Sequence, residues 1–556
     1  MHGSLIFFFL LTLVIPVHAV EIVEFCPDPF LDGDPDEYLI LSGTGSLDGI
    51  VVSDGEGGFR FPQGSTIEGE IAIARNSRAY QVTHGCNPDY EWYDYSPAVP
   101  DVVRSGTFQM ANTGDQLQLY VHGTLVQELV WPGDLSARQG QVHYADNEFW
   151  DQRVLMLGQS RFMSQEFISV DGVAFAAPDC SLSVYEDTVR SARKEILANV
   201  YEFSSPIMVQ SLIEAGKRGV AVTVLLEGGP VGGISDEEKG AVAELNKANI
   251  PVFLMTSSND IHAPYRFDHA KYLIIDHSLV LVTSENFKSN GFPKQGLSGN
   301  RGWGIVIEDE GVAHYFRGVY SHDSSGGWCI PAAFSSGGTE YPPTDKYRTE
   351  FSPYQFEDAR VIPVVSPDTS YLIRDMIAGS EVTIDIEQAY ITNQTNGTIN
   401  PFLDEAIRAA RRGVRVRVLL DSYYYNTEGP ADNDEMVRFI KNLAAEENLP
   451  LEARLADLEA NNIEKIHNKG VIVDGRSVLV SSINWNDNSP RFNRETGVII
   501  DHDGVGEYFS RVFEDDWAAS PLSTKKTGPD WFKIGIALIV LFTLCIIAYI
   551  KKRTRF

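Results

Sequence analysis

Residues 269–276 read HAKYLIID and residues 467–474 read HNKGVIVD; both fit H-x-K-x4-D. After six further residues the first is followed by TSEN (283–286) and the second by SSIN (481–484). On extended chain, residues two apart share a face. Each block therefore gathers an imidazole, an ammonium, a hydroxyl and an amide: His269, Lys271, Ser284 and Asn286 in the first, His467, Lys469, Ser482 and Asn484 in the second. These groups suit phosphate oxygens. One set binds an anion. Two facing sets do more: a neutral imidazole attacks phosphorus, and a protonated one donates to the leaving oxygen. The lysines and asparagines hold the nonbridging oxygens as charge builds. A lone histidine on a strand is more often a packing or surface residue, but two complete copies make coincidence a poor account. The chemistry calls for no metal or cofactor, and no Cys/His cluster has zinc spacing.

The surrounding elements repeat as well. LIEAGKRGVAVTVLLEGG at 212–229 matches LDEAIRAARRGVRVRVLLDSY at 403–423. Each reads as a helix, a turn at R-G-V with Gly219 or Gly413 as the helix-ending glycine, and a buried strand. A repeat of about two hundred residues is a duplicated domain. The alternation of helix and strand predicts α/β layers in two halves, 165–328 and 355–518. A Ser-, Gly- and Pro-rich linker at 329–354 joins them.

The doubled H-x-K-x4-D-x6-(G/S/T)-S-x-N pattern resembles the phospholipase D superfamily across about 350 residues. The resemblance implies two α/β/α halves paired about a pseudo-two-fold axis, with His269, Lys271, Asn286, His467, Lys469 and Asn484 as the catalytic set. It gives Asp276 and Asp474 structural roles at strand ends. IDIEQAYI (384–391) and VYEFSS (200–205) resemble the family's site-lining strands and bring in Glu387 and Glu202 as supporting carboxylates. NRETGVII (493–500) puts Glu495 where the family has the carboxylate that orients a motif histidine, whereas NRGWGIVI (300–307) has Gly302 there. The expectation is that Glu495 raises the pKa of His467 and makes it the general acid, leaving His269 to attack. Either another carboxylate, such as Glu308, replaces the one missing at Gly302, or His269 lacks this partner.

Residues 20–140 read as short strands between Gly, Asp, Asn and Pro turns, which predicts an all-β sandwich. DEYLILSGTGSLDGIVVSDGEG, GEIAIARN and LQLYVHGTLVQELVW within it resemble the immunoglobulin-like lamin-tail domain, an accessory module. Its acidic stretch DPFLDGDPDE fits no calcium-loop spacing and reads as a solvated loop. The apolar run 5–17 ending in VHA predicts a signal peptide over 1–19. Residues 531–550 predict one transmembrane helix, and KKRTRF at 551–556 a cytoplasmic tail. The body then lies outside the membrane. There Cys26–Cys86 and Cys180–Cys329 are the expected disulfides, and the sequons at Asn393 and Asn396 are glycosylation sites.

The net charge of −31 argues against a general nucleic-acid binder. These features together point to a membrane-anchored, extracytoplasmic phosphodiesterase that hydrolyses phospholipid or transfers phosphatidyl groups. The alternatives are an extracellular nuclease and an inactive module holding a phosphorylated ligand.

Overall fold

The computed structural model describes residues 20–136, 139–146, 149–258, 261–394, 397–429 and 432–520. The signal peptide, the transmembrane helix and the tail fall outside the described residues, and none of the described helices is long and apolar enough to cross a membrane.

The N-terminal strands are β1 (Glu21–Cys26), β2 (Tyr38–Ser46), β3 (Ile50–Ser53), β4 (Gly58–Arg60), β5 (Thr66–Ala74), β6 (Tyr90–Glu91), β7 (Val103–Ser105), β8 (Thr113–Val121), β9 (Thr124–Ser136) and β10 (His143–Tyr144), with helix α1 (Ser77–His84) between β5 and β6. They form two five-stranded sheets, ordered β10-β1-β2-β5-β6 and β7-β4-β3-β8-β9. Alternate residues such as Leu39, Leu41, Val52, Leu117 and Leu119 point inward and close a core around Trp92 and Phe59.

The first half of the duplicated region runs β11 (Phe167–Ala177), α2 (Ser181–Ser191), β12 (Glu195–Val200), α3 (Pro206–Lys217), β13 (Ala221–Glu227), α4 (Asp236–Lys247), β14 (Val252–Met255), β15 (Lys271–Ile275), β16 (Leu279–Thr283), β17 (Gly302–Glu308), α5 (Glu310–Ser325) and β18 (Cys329–Pro331). The second half repeats it: β19 (Tyr354–Ser366), α6 (Tyr371–Ala378), β20 (Thr383–Gln388), α7 (Pro401–Arg411), β21 (Arg415–Leu420), α8 (Asn433–Glu447), β22 (Leu451–Leu455), α9 (Leu458–Asn461), β23 (Lys469–Val473), β24 (Ser477–Ser481), β25 (Glu495–Asp501) and α10 (Asp503–Ala519). All these strands join one sheet, ordered β18-β14-β13-β12-β15-β16-β17-β11-β19-β25-β24-β23-β20-β21-β22. From the β11/β19 junction the order reads alike in both directions, apart from the extra edge strand β18. The R-G-V turns sit where the repeat predicts them, with Gly219 and Gly413 at φ of 92° and 100°. A residue with a Cβ is strained there, and glycine is not.

The burial pattern explains the layers. One hydrophobic cluster lies between the halves and holds α5 and α10 against strands of both, through Phe316, Trp303, Phe509, Phe513 and Trp517. Two further clusters lie under α2, α3 and α4 in the first half and under α6, α7 and α8 in the second. The linker is ordered. Its Gly338 amide donates to the Asp236 carbonyl, and Gly240 has no room for a Cβ because the Gly338 carbonyl passes against it.

Two buried arginines tie the halves. Arg301 donates to Asp516 Oδ2 on α10 (2.7 Å) and to Asp179 Oδ2 (2.9 Å). Its counterpart Arg494 donates to Asp323 Oδ2 on α5 (2.8 Å) and lies 3.9 Å from Asp368. Each arginine also donates to a carbonyl of its own half, Ala177 or Ser366. Each thus joins its own half to the long helix of the other.

The expected disulfides are not formed; Cys26, Cys86, Cys180 and Cys329 are free. Cys180 follows β11 at the centre of the large sheet, and Cys329 starts β18 at its edge. Seven strand spacings separate those strands, about 34 Å in total, so this bond cannot close. Cys26 is enclosed in the core while Cys86 is exposed. Of the two sequons, Asn393 is exposed, and Asn396 falls outside the described residues.

Replacing Arg494 by Met leaves Asp323 and Asp368 buried without their cation. We expect a loss of about 3–5 kcal/mol, read as a lower urea midpoint, with partial recovery in Arg494→Met/Asp323→Leu.

Candidate active site

His269 and His467 each stand two residues before the lysine that opens β15 or β23. Neither backbone is held by its own half alone. The His269 amide donates to the Arg494 carbonyl, and the Arg494 amide returns to the Phe267 carbonyl. In the same way the His467 amide donates to the Arg301 carbonyl, and the Arg301 amide to the Lys465 carbonyl. Two short bridges thus cross the pseudo-symmetry axis and bring both motifs to one cleft.

The side chains cross as well. His269 Nδ1 lies 2.7 Å from Glu495 Oε2, a hydrogen bond from one half to the other. Glu495 is fully buried and saturated: Ser482 Oγ donates to the same oxygen (2.6 Å), and Asn493 Nδ2 to Oε1 (3.0 Å). The expectation that Glu495 serves His467 is therefore corrected, because β25 carries Glu495 across to the opposite imidazole. Glu308 replaces nothing; it is exposed at the far end of β17, opposite Asp171 and Leu279.

His467 faces Glu285, the third residue of TSEN. Its Nδ1 lies 3.3 Å from Glu285 Oε2 but makes no hydrogen bond there. That oxygen accepts from Asn300 Nδ2 (2.9 Å). A Cβ on Gly302 would lie 2.3 Å from Glu285 Oε1, so the glycine makes the space that this side chain fills. The halves use different positions for one purpose. The first has Glu285 with Gly302, and the second has Ile483 with Glu495. Sequence reasoning passed over Glu285, although a carboxylate in TSEN where SSIN has isoleucine was the available signal.

Lys271 and Lys469 are fully buried, and each Nζ donates to the carbonyl of the histidine two residues before it (2.8 and 2.6 Å). Burial pushes Lys271 down to about 8, with Glu495 and Glu202 pulling upward. Burial and then the charge of Lys271 hold Lys469 well below an ordinary lysine. Both imidazoles are lowered by burial. Glu495 opposes the effect at His269, while at His467 the lysines 469, 465 and 271 add to it. Burial raises Glu495, but the charge and hydrogen bond of His269 outweigh it and hold the carboxylate below its usual range. Burial raises Glu285. The proton is thus held more firmly on His269 than on His467.

The other predicted residues fall into separate roles. Asn286 Nδ2 donates to Glu202 (2.6 Å), and neither Asn286 Oδ1 nor Asn484 Oδ1 has a partner. Ser284 Oγ accepts from the Trp303 amide, so it holds β16 to β17 and does not face the cleft alone. Asp276 accepts from the amides of Arg193, Lys194 and Glu195 (2.6–2.8 Å), and Asp474 from those of Glu381, Val382 and Thr383 (2.8–3.0 Å). Both aspartates fasten strand starts. Glu387 is fully buried against Asn468 and is not the counterpart of Glu202. Phe203 bridges Phe287 and Ile391 bridges Trp485, which matches Glu202 with Tyr390. Tyr201, also missed, packs its ring on His269 at 4.5 Å between centroids. Among the described residues the carboxylate group placed to hold a cation is Glu91, Asp94 and Asp101 in the sandwich, where the Glu91 oxygens already accept from the Ser77, Tyr95 and Ser96 amides.

The family model described as "Cardiolipin synthase, PLD-like domain" matches residues 185–323 and 373–517, which span both motifs. The chain belongs to this family, within the phospholipase D superfamily. Curated relatives include cardiolipin synthase A of Serratia proteamaculans, 26% identical over 356 residues, and that of Yersinia pseudotuberculosis, 25% identical over 351. In each case the match covers 60% of this chain and 66% of the relative, just under two thirds of its length. Among solved structures, a phosphatidylserine synthase of Haemophilus influenzae matches with a TM-score of 0.46 and 14% identity, over 68% of this chain and 96% of that one.

If charged Lys271 holds the substrate's phosphate, kcat/KM has an alkaline limb. The ammonium is present below its pKa of about 8 and lost above it, so kcat/KM should fall as pH rises through that value. Lys271→Arg, if active, should move the limb upward. A wild-type profile flat to pH 10 would separate Lys271 from catalysis.

Proposed function

We propose that this chain is a phosphodiesterase that acts on phospholipid by phosphatidyl transfer or hydrolysis through a phosphohistidine. One observation carries the reading: two imidazoles with unlike carboxylate partners share a cleft with two buried lysines whose pKa values are lowered. Buried ammonium groups whose pKa values burial lowers gain from an anion placed beside them. A phosphodiester monoanion meets that need, and more so as negative charge gathers on the nonbridging oxygens. The phospholipid class is supported by the cardiolipin synthase relatives and by the net charge of −31, which disfavours a nucleic-acid strand.

With Nδ1 of each imidazole turned to its carboxylate, Nε2 is the atom left for the substrate. His467, the imidazole less able to hold a proton, attacks phosphorus. His269, held by Glu495, protonates the leaving oxygen as its bond to phosphorus breaks. His269 then takes the proton of an incoming water or alcohol, whose oxygen displaces His467. This reverses the roles expected from sequence, because the premise for them, Glu495 at His467, does not hold. Lys271, Lys469 and the Asn484 amide hold the nonbridging oxygens.

The sandwich, read as lamin-tail-like, is an accessory module in this proposal. The apolar segment 531–550 anchors the body at an outer membrane face; a small membrane-protected fragment after protease treatment of intact cells tests that topology.

The purified body with phosphatidylglycerol micelles should release phosphatidic acid or a transfer product in the presence of EDTA, since every step is given to side chains. Faster cleavage of single-stranded DNA than of lipid would favour the nuclease reading. Trapping with a p-nitrophenyl phosphodiester, whose leaving group needs no proton, should label His467 in the wild type and in His269→Ala, with slow release in the variant. Label on His269 would restore the opposite assignment.

A further inference from the structure

The sandwich and the duplicated region are joined by more than a tether. Phe492 belongs to the loop that leads into β25, yet its ring is buried in a core of the sandwich. Its neighbours there include Cys26 of β1, Tyr38 of β2, Tyr144 of β10, and Leu155 and Leu157 of the segment that follows. Backbone contacts fix that segment to the sandwich: the Val142 amide donates to the Leu155 carbonyl (3.0 Å) and the Leu157 amide to the Gly140 carbonyl (2.8 Å). Gln159 reaches from it to the loop. It accepts from the Leu155 and Met156 amides (3.0 Å each) and donates to the Arg491 carbonyl (3.3 Å).

The backbone of Phe492 is a rung of the bridge that holds His269. Its carbonyl accepts from the Arg266 amide (2.8 Å). The next rungs are the Arg494 amide to the Phe267 carbonyl (2.9 Å) and the His269 amide to the Arg494 carbonyl (2.8 Å). Asn493 and Glu495, close after Phe492 in the chain, are the hydrogen-bonded pair that meets the imidazole. The sandwich also backs the other side of this bridge. Phe30 stacks on His262 at 6.4 Å between centroids, and Pro264 lies so near Gly158 that a Cβ there would come within 3.2 Å of it.

The bridge at His467 is built differently. There the Glu464 amide donates to the Gly299 carbonyl (2.8 Å), in the places of Arg266 and Phe492. Gly299 has no room for a side chain, because a Cβ would lie 2.4 Å from the Asn290 carbonyl oxygen. The linker backs this bridge: the Ser298 amide donates to the Asp345 carbonyl (2.7 Å), and the Tyr347 amide to the Gly296 carbonyl (2.9 Å). The large ring thus stands at the bridge that carries the 2.7 Å contact of His269 with Glu495. A hydrogen bond that short tolerates little displacement, and a ring in a close-packed core has few positions to take.

We propose that Phe492 is a positioning residue: the sandwich grips its ring and thereby fixes Glu495 against His269. The sandwich is then part of the framework of the active site and acts through the backbone of residues 491–495. The proposal takes from the phosphodiesterase reading only that the His269–Glu495 pair works in turnover.

The test uses the full chain in detergent micelles, as wild type, Phe492→Ala, Phe492→Leu, Glu495→Gln and Phe492→Ala/Glu495→Gln. Amide exchange followed by mass spectrometry should speed up over residues 264–269 in Phe492→Ala and stay unchanged over 462–467. On phosphatidylglycerol kcat should fall about tenfold with KM nearly constant, the result of a small misplacement of reacting groups. Phe492→Leu, which keeps most of the volume, should show the same pattern at smaller amplitude. In the Glu495→Gln background the loss of the ring should cost less than about twofold, since two changes that act through one interaction do not add. Exchange that rises equally over both segments, or a double variant in which the two losses multiply in full, would show that the ring only stabilises the chain and would overturn the proposal. So would an unchanged kcat in Phe492→Ala. A wild type that does not turn over phosphatidylglycerol would remove the phospholipid reading, while the exchange over 264–269 would still decide whether the sandwich holds the bridge.

Discussion

The cleft depends on an exchange between the two halves. Each motif histidine is held by a backbone hydrogen bond to an arginine of the other half, and each faces a carboxylate from the other half. The same arginines reach through the buried interior to the opposite long helix, Arg301 to Asp516 and Arg494 to Asp323. Position and charge of the reacting groups are thus set by one set of contacts. A half folded alone would have its histidine and lysine but neither the strand edge nor the carboxylate that orients them. Burying these charges is tolerable because each guanidinium meets carboxylates and carbonyls in hydrogen-bonding geometry.

Duplication creates symmetry, and the proposed two-histidine chemistry requires that it be broken. Two imidazoles in one cleft must differ in protonation. The difference comes from a small rearrangement: one carboxylate sits on β25 at Glu495, the other in the turn after β16 at Glu285. Glu495 makes a short hydrogen bond and is saturated by Ser482 and Asn493, whereas Glu285 stands off at 3.3 Å and is shared with Asn300. The walls differ likewise, with Tyr201 and Glu202 on one side and Ala389 and Tyr390 on the other.

Much of this was legible in the chain. The doubled motif, the R-G-V turns and the 200-residue repeat announce two α/β halves, because helix-ending glycines and buried strands are local features. The punctuated N-terminal strands announce a sandwich for the same reason. Asp276 and Asp474 stand at strand ends that a reader can find by counting.

What the sequence could not decide is which half serves which. Glu495 lies 28 residues from His467 in the chain and 226 from His269, yet it bonds to the distant one. Only the crossing of β25 over the symmetry axis determines that, and with it which imidazole has a hydrogen-bonded carboxylate. TSEN displays the Glu285 carboxylate, but chain order does not show that it faces His467 in the other half. The four cysteines fail to pair for a related reason: sharing a half does not bring Cys180 and Cys329 near, since they stand at the centre and the edge of a wide sheet. Residue types and their periodicity determined the elements and the chemical groups. The packing of the two halves decided the partners, because hydrogen bonds and charge act through distances that the order of the chain does not contain.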